Sequence, residues 1–301
     1  MQQQHPRVNS IVWPRVPDQH KPGKPLVPWG LGVTYVLFAT VYLFLMYFLK
    51  IDSSADGVSA SLTLAVCILF GGFMGMLDDW IDLKWRYKAF MPLIAALPLM
   101  YYAIANSATV RTAISLPFVG LVQFGDFYYF LIIPLMVMIV TNAINMLGGL
   151  NGLETVCPAI VLIGLIALSP EPAQLLMAGP LVFWLVLAFF NMRGKIFVGN
   201  TGSFAIGLTV TAFAVVTDLK SSMLISILPY VFNSAFILLS VFFVRKKANV
   251  IFDGKRLISE HRRSLVTLLT YRRPLTERQV VAAIAVIVAV FTALGILYQF
   301  V

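Results

Sequence analysis

The stretch VSASLTLAVCILFGGFMGMLDDWIDLKWRYK, from Val58 to Lys88, joins a long apolar run to a polar segment that begins with two adjacent carboxylates. Its first part, Val58–Leu77, contains no charged side chain. A helix needs about 20 mostly apolar residues to cross the hydrocarbon core of a bilayer. The stretch therefore predicts a transmembrane helix with Asp78 and Asp79 at its end.

The composition of the whole chain extends this prediction to the rest of the molecule. Of its 301 residues, 59% are hydrophobic and only 12% are charged, and the mean hydropathy is +0.88. Soluble domains contain about 25% charged residues. Backbone groups inside a bilayer must be satisfied within the protein, and apolar runs of this length do so as helices. We predict an all-α polytopic membrane protein.

Nine apolar segments are long enough to be spans, although the seventh is short. They are Trp29–Leu49, Val58–Leu77, Ala89–Asn106, Phe127–Leu147, Leu153–Ser169, Pro172–Phe190, Ser203–Thr217, Ser222–Val244 and Val280–Phe300. Residues 1–28 form a predicted cytoplasmic N-terminal arm. Residues 29–301 form one transmembrane domain that includes a basic cytoplasmic loop, 245–278.

The basic residues predict the orientation. If the N-terminus is cytoplasmic, 19 of the 22 Lys and Arg residues fall on the inner side, and only Lys50, Arg111 and Lys220 fall outside. Cytoplasmic loops are enriched in Lys and Arg. We expect an integral protein of the cell membrane, or of the endoplasmic reticulum membrane in a eukaryote, with its C-terminus outside.

The net charge of +9 has the same origin. It predicts contact with the anionic headgroups of membrane lipid. We expect no nucleic-acid partner, because the basic residues are spread over loops next to the membrane. The two cysteines, Cys67 and Cys157, lie inside predicted spans and lack the spacing of a metal site or a disulfide framework.

Four polar clusters fall on the predicted cytoplasmic face. They are Asp78–Lys88, TNAINMLGGLNGLE (Thr141–Glu154), NMRGKIFVGNTGSF (Asn191–Phe204) and the loop Arg245–Arg278 with its segment SEHRRS. Each alone has a structural interpretation, since acids can end a helix, amides can join helices, Gly and Asn make turns, and basic loops fix topology. Together they favour a site. Carboxylate and amide oxygens suit Mg²⁺, and glycines with basic side chains suit phosphates, so we expect phosphoryl transfer between a nucleotide compound and a lipid.

Three segments, LDDWIDLKWRYK, TNAINMLGGLNGLE and FVGNTGSFAIG, resemble in order and spacing the signatures of the polyprenyl-phosphate N-acetylhexosamine-1-phosphate transferase superfamily, glycosyltransferase family 4. The form NAIN…GLNGLE is similar to the eukaryotic and archaeal UDP-N-acetylglucosamine:dolichyl-phosphate branch. The resemblance covers about Pro17 to Arg263.

The resemblance implies a Mg²⁺-dependent reaction, with Mn²⁺ as an alternative ion. A UDP-N-acetylhexosamine, in this branch UDP-N-acetylglucosamine, gives its sugar-1-phosphate to a polyprenyl or dolichyl phosphate and releases UMP. This is the first step of lipid-linked glycan assembly. Relatives often dimerise, so a homodimer is left open.

The resemblance also implies roles for individual residues. The implied catalytic residues are Asp78, Asp79 and Lys88. The implied metal ligands are Asn145, Asn200 and Asp79. The implied substrate-binding residues are Asn142, Asn151, Glu154, Lys195, Arg245, His261 and Arg262.

Three departures from the family pattern keep other functions open. Asn200 stands where the family has an aspartate that binds metal, and Trp29 stands where it has a glutamate. The family usually has ten spans, and here the first is expected to be missing. One alternative is therefore a catalytically impaired relative that binds lipid phosphate or nucleotide sugar. A further alternative is a transporter of lipid or nucleotide sugar, although transporters place their polar groups near the bilayer midplane.

Overall fold

A computed structural model describes residues 13–51 and 57–300, together with the backbone of Val8 and Asn9. The helices are α1 (Gly32–Phe48), α2 (Ala60–Ile81), α3 (Trp85–Ala105), α4 (Tyr128–Met146), α5 (Leu153–Leu168), α6 (Glu171–Met192), α7 (Gly199–Val216), α8 (Lys220–Ser226), α9 (Leu228–Val244), α10 (Leu265–Leu269) and α11 (Glu277–Tyr298). The strands are β1 (Val8–Asn9), β2 (Pro14–Pro17), β3 (Leu26–Pro28), β4 (Ala113–Leu116), β5 (Gly120–Gln123), β6 (Ile251–Phe252) and β7 (Leu257–Ile258). The predicted helical fold class is confirmed.

Most of these helices are long and apolar enough to cross a bilayer. Among the described residues, six qualify singly: α2, α3, α4, α6, α7 and α11. The pair α8 and α9 qualifies together, with a bend of 52° between them, whereas α1 and α5 are apolar but shorter, at 17 and 16 residues. The protein is an integral membrane protein. Each of the nine predicted segments coincides with one of these helices or with the bent pair, while the number that cross the membrane stays a prediction.

Three small antiparallel sheets were not predicted. The N-terminal arm folds as β1–β2–β3, in which Val16 pairs with Val27, and its residues 1–7 and 10–12 lie outside the described part of the chain. Strands β4 and β5 form a hairpin, and β6 and β7 form another inside the basic loop. β3 ends four residues before α1, and the main-chain N of Phe197 donates to the carbonyl oxygen of Pro28 at 2.8 Å, so the arm is joined to the segment before α7.

The polar motifs begin inside helices rather than between them. Asp78 and Asp79 belong to the last turn of α2, whereas the sequence predicted that this span ends at Leu77. The residue after the helix, Asp82, is left-handed with φ 49°. Lys88 lies in the first part of α3. These charges do not stop the helices because partners on neighbouring elements satisfy them.

Helix α7 lies at the centre of the bundle, and glycines on α2 allow it to approach closely. A Cβ on Gly75 would lie 2.2 Å from the carbonyl oxygen of Asn200, and a Cβ on Gly71 would lie 2.9 Å from that of Phe204. Small residues are common where membrane helices touch. Gly71, Gly75 and Asp79 are four residues apart on one helical face, so the contact that buries the glycines also brings Asp79 to the start of α7.

The polar groups collect at one end of this bundle, here called the site end. It is defined by the C-termini of α2 and α4 and the N-termini of α5 and α7, where Asp79, Asn145, Glu154 and Asn200 lie. At the opposite end, Arg111 and Lys220 both contact Asp218. The expectation that the site end faces the cytoplasm stays a prediction.

Candidate active site

Asp79 is bound to the N-terminus of α7. Its Oδ1 accepts hydrogen bonds from the main-chain N–H of Asn200 at 2.9 Å and from Trp29 Nε1 at 3.1 Å. Its Oδ2 accepts two bonds from Thr201, from the main-chain N at 3.0 Å and from Oγ1 at 2.7 Å. A carboxylate has about four lone-pair positions, and these four donors use them. The first-turn N–H groups of a helix favour such an anion. The predicted metal role of Asp79 is not tested, but its oxygens are already engaged.

Asp78 has a different environment, although it is the next residue. Its Oδ1 lies 2.8 Å from Lys88 Nζ and accepts from the main-chain N of Leu83 at 3.0 Å. Its Oδ2 is buried and has no hydrogen-bond partner. Buried polar atoms are rarely left in that state. The free oxygen marks Asp78, rather than Asp79, as the carboxylate with capacity for a proton or a ligand.

Asn145, Asn200, Ser203 and Glu154 form one connected polar chain. Asn145 Nδ2 donates to Asn200 Oδ1 at 2.9 Å and to Ser203 Oγ at 2.8 Å. The Ser203 hydroxyl also lies close to the carboxylate of Glu154. The structure thus brings together two predicted metal ligands and one predicted substrate-binding residue. Sequence reasoning missed Ser203, which lies one helical turn after Asn200 within GNTGS.

Asn151 belongs to a second polar cluster at the same end. Its Nδ2 donates to Asp18 Oδ2 at 2.7 Å and to Glu277 Oε1 at 3.0 Å, and its main-chain N donates to the same Glu277 oxygen at 2.7 Å. Lys21 pairs with the other oxygen of Glu277. The Oδ1 of Asn151 is buried and has no partner. Asp18 and Glu277 are both buried, and the sequence analysis missed them.

Neither of these two acids carried a sequence signal for this contact. A Thr-x-x-Gln capping box at Thr276 marks the start of α11, but it does not indicate which residue Glu277 contacts. Asp18 lies in the arm, more than 130 residues from Asn151 in the chain. The contact depends on the tertiary fold.

Two other predicted substrate-binding residues lie apart from these clusters. Asn142 Nδ2 donates to the carbonyl oxygens of Ala89 at 3.1 Å and Met138 at 2.8 Å, so its amide joins α4 to α3. Lys195 is exposed in the turn between α6 and α7. Their predicted roles stay predictions.

The predicted residues of the basic loop contact other parts of the loop. Arg262 lies over the ring of Tyr271, with 4.3 Å between the guanidinium carbon and the ring centroid. His261 Nε2 accepts from the main-chain N of Asn249 at 3.3 Å. Desolvation and the nearby charge of Arg263 lower the pKa of His261 below its ordinary value. Arg245 is exposed and left-handed, with φ 55°.

One amide anchors this loop to the bundle. Asn233 Nδ2 donates to the carbonyl oxygen of Met146 at 3.1 Å, and Asn233 Oδ1 accepts from the main-chain N of Leu265 at 2.9 Å. Met146 follows Asn145 directly, so the loop is fixed next to the end of α4. The buried residue Asn233 therefore connects the loop to the site end.

The oxygen donors at the site end fit a hard divalent cation. Within the described ranges, no group of three or more His, Cys, Asp or Glu side chains could hold a metal. A cation here would use the amide oxygens of Asn145 and Asn200 and a nearby carboxylate. Mg²⁺ commonly takes one or two carboxylates and keeps waters or substrate oxygens as its other ligands.

Comparison with known proteins gives matches to one group of enzymes. A family model described as "Glycosyl transferase family 4" matches residues 61–218. A provisionally named UDP-N-acetylglucosamine–dolichyl-phosphate N-acetylglucosaminephosphotransferase of Saccharolobus solfataricus is 30% identical over 291 residues, which are 94% of this chain and 87% of that protein.

More distant relatives share parts of the chain. The Schizosaccharomyces pombe UDP-N-acetylglucosamine–dolichyl-phosphate N-acetylglucosaminephosphotransferase is 30% identical over 202 residues, which are 60% of this chain and 45% of that protein. The Clostridioides difficile phospho-N-acetylmuramoyl-pentapeptide-transferase is 30% identical over 166 residues, which are 51% of this chain and 52% of that protein. The matched family region contains Asp78, Asp79, Asn145 and Asn200.

Proposed function

The chain belongs to glycosyl transferase family 4, and on that premise we propose that it transfers N-acetylglucosamine-1-phosphate from UDP-N-acetylglucosamine to a polyprenyl or dolichyl phosphate, releasing UMP. The observation that carries the proposal is the pair of Asp78 and Lys88 at the site end. Asp78 keeps a buried oxygen without a partner while Lys88 holds its other oxygen. The Saccharolobus relative, similar over almost the whole chain, supports the choice of donor and acceptor.

The reaction makes one phosphorus–oxygen bond and breaks another. An oxygen of the lipid phosphate attacks the β-phosphorus of the nucleotide sugar. The bond from that phosphorus to the oxygen bridging it to the α-phosphorus breaks, and this oxygen leaves with UMP. If the lipid phosphate carries a proton, Asp78 Oδ2 accepts it, which contributes about 10²–10⁴-fold in rate for a positioned base. Lys88 pairs with the other oxygen of Asp78 and offers positive charge to the acceptor phosphate.

A divalent cation, Mg²⁺ or Mn²⁺, would neutralise the charge that develops on the pyrophosphate oxygens. Asn145 and Asn200 are the residues that would hold it. Asn145 also fixes the side chain of Asn200 through their 2.9 Å hydrogen bond. In the basic loop, His261 and Arg262 would bind the sugar or the pyrophosphate. Asn151, next to the start of α5, would bind the nucleotide.

A second candidate is a relative that binds these substrates without turnover. The observation that favours it is Asn200, which brings no negative charge to a cation and whose Oδ1 already accepts a hydrogen bond. Weak cation binding would leave repulsion between the two anionic substrates uncompensated. Such a protein would hold lipid phosphate or nucleotide sugar at the same site.

One experiment separates the two candidates. Purified protein is given a short polyprenyl phosphate and UDP-N-acetylglucosamine over a range of Mg²⁺ concentrations, beside Asn200→Asp and Asp78→Asn. We expect Mg²⁺-dependent lipid product from the unaltered protein and none from Asp78→Asn. Product only from Asn200→Asp would favour the binding function, and absence of product from both would contradict the transferase proposal.

A further inference from the structure

We propose that Glu154 is the anionic ligand of the divalent cation at this site, in place of the carboxylate that position 200 lacks. The inference rests on the proposed function for the expectation of a cation. Its geometric basis is separate, because it comes from the position of one side chain relative to Asn145 and Ser203. Its test reads cation binding rather than turnover.

Glu154 points back from α5 toward the end of α4. It is the second residue of α5, yet a Cβ on Gly148 would lie 3.2 Å from its Oε1 and 3.3 Å from the carbonyl oxygen of Asn145. The carboxylate therefore lies beside the main chain of Asn145. An ordinary side chain at position 148 would crowd this space, so the glycine leaves room for the acid.

The same side chains connect Glu154 to position 200. Ser203 lies close to Glu154. Its Oγ accepts from Asn145 Nδ2 at 2.8 Å, and the same Nδ2 donates to Asn200 Oδ1 at 2.9 Å. Because the Asn145 amide nitrogen makes both bonds, its Oδ1 is the atom of that side chain left for a cation. One carboxylate and two amide oxygens thus lie within a single cluster of polar side chains.

At the site end, Glu154 is a carboxylate without a paired lysine or arginine among the ion pairs of the described residues. Glu154 and Asp79 lie close enough to repel each other. Lys88 is paired with Asp78 instead, and Asp79 is satisfied by the start of α7. Two carboxylates that repel each other are stabilised by a cation between them or by a proton on one of them. A divalent ion would meet that need, and Glu154 would supply the negative charge that the ligand set lacks at position 200.

The competing explanation is structural. A protonated Glu154 could simply hold Ser203 and join α5 to α7. The two explanations differ in what happens to cation affinity when the charge is removed but the hydrogen-bond acceptor is kept. Glu154→Gln makes that change, because the glutamine oxygen can still accept from the Ser203 hydroxyl.

The test measures Mn²⁺ binding to the purified full chain by electron paramagnetic resonance without substrates, with Mg²⁺ as competitor. The variants are Glu154→Gln, Asn200→Asp and the double variant. The matched control is Glu171→Gln, an exposed acid that is likewise in the first turn of a helix but at the opposite end of the bundle. Thermal unfolding checks that each variant is folded.

We expect Glu154→Gln to weaken Mn²⁺ binding by at least about tenfold and Glu171→Gln to leave it unchanged. In the double variant, Asn200→Asp should restore most of the affinity, because the carboxylate returns to the site from the other helix. Unchanged affinity in folded Glu154→Gln, or no Mn²⁺ binding by the unaltered protein, would overturn the proposal.

The failure of this proposal and the failure of the transferase function are distinguishable. Mn²⁺ binding that depends on Glu154 in a protein without turnover would support the ligand and contradict the enzyme. Metal-dependent turnover by a protein whose cation affinity does not change in Glu154→Gln would support the enzyme and contradict Glu154 as a ligand.

Discussion

Asp79 Oδ2 accepts two hydrogen bonds from Thr201, one from the main-chain nitrogen at 3.0 Å and one from the hydroxyl at 2.7 Å. This contact joins the end of α2 to the start of α7 across 122 residues of chain. It places Asn200 beside the α2 carboxylates. In the proposed enzyme, Asp79 therefore positions the site, and Asp78 touches substrate.

The first prediction concerns Asp78. Asp78→Asn removes the proton acceptor but keeps a side chain of the same size, so turnover should fall by about 10²-fold or more. The variant also loses the charge that pairs with Lys88, so thermal unfolding is measured beside turnover to show that the protein is folded. Transfer assays on purified protein check this, with Asp126→Asn, an exposed acid in a loop, as control. Near-normal turnover in Asp78→Asn would remove Asp78 from the mechanism.

The second prediction concerns Asp79, whose change should act mainly on stability. Asp79→Asn places an NH₂ group against donors at the start of α7 and leaves at least one buried donor unsatisfied, which costs about 1–3 kcal/mol. We expect a lower midpoint of thermal unfolding in detergent, together with lower turnover. The control is Asp82→Asn on the exposed end of the same helix. An unchanged midpoint in Asp79→Asn would show that the hydrogen bonds between Asp79 and the start of α7 do not stabilise the protein.

The third prediction concerns the contact between α2 and α7. Gly75→Ala puts a Cβ at a position only 2.2 Å from the carbonyl oxygen of Asn200, so the two helices must move apart. Overpacking of this kind costs about 1–3 kcal/mol, and it should also lower turnover because it displaces Asn200. Phe73→Ala, on the exposed face of α2, is the control. Full activity and an unaltered unfolding midpoint in Gly75→Ala would contradict the close packing.

The fourth prediction concerns pH. The pKa of His261 is lowered by desolvation and by the charge of Arg263, so the ring stays neutral until the pH falls below its ordinary value of about 6.5. Protonation then adds positive charge near an anionic substrate. We expect KM for UDP-N-acetylglucosamine to be constant from pH 7 to 8 and to fall below about pH 6. The same fall in His261→Gln would place the titrating group elsewhere.

The positions of the helices along the chain follow from the sequence, because the length of an apolar run and the tendency to form a helix are local properties. Val58–Leu77 predicted α2, and the short segment Ser203–Thr217 still corresponds to α7. Charge patterning also predicted that the acidic and amide motifs share one face. The position of Asp78 and Asp79 inside α2 was harder to predict, because the groups that pair with them lie on α3 and α7.

The connections within the site depend on tertiary structure. Asp18 and Glu277 reach Asn151 from opposite ends of the chain, and no local pattern joins them. The different environments of Asp78 and Asp79 also have no local cause, since adjacent residues on a helix point about 100° apart and meet different neighbours. The family resemblance supplied the candidate residues, and the structure supplies their partners.

The most direct test of the central claim follows two labels from one donor. UDP-N-acetylglucosamine carrying ³²P in the β-phosphate and ³H in the sugar is incubated with the purified protein, polyprenyl phosphate and Mg²⁺. The account predicts that both labels move together to the lipid and that unlabelled UMP is released. Release of ³²P-labelled UDP while only ³H reaches the lipid, or movement of neither label, would contradict it.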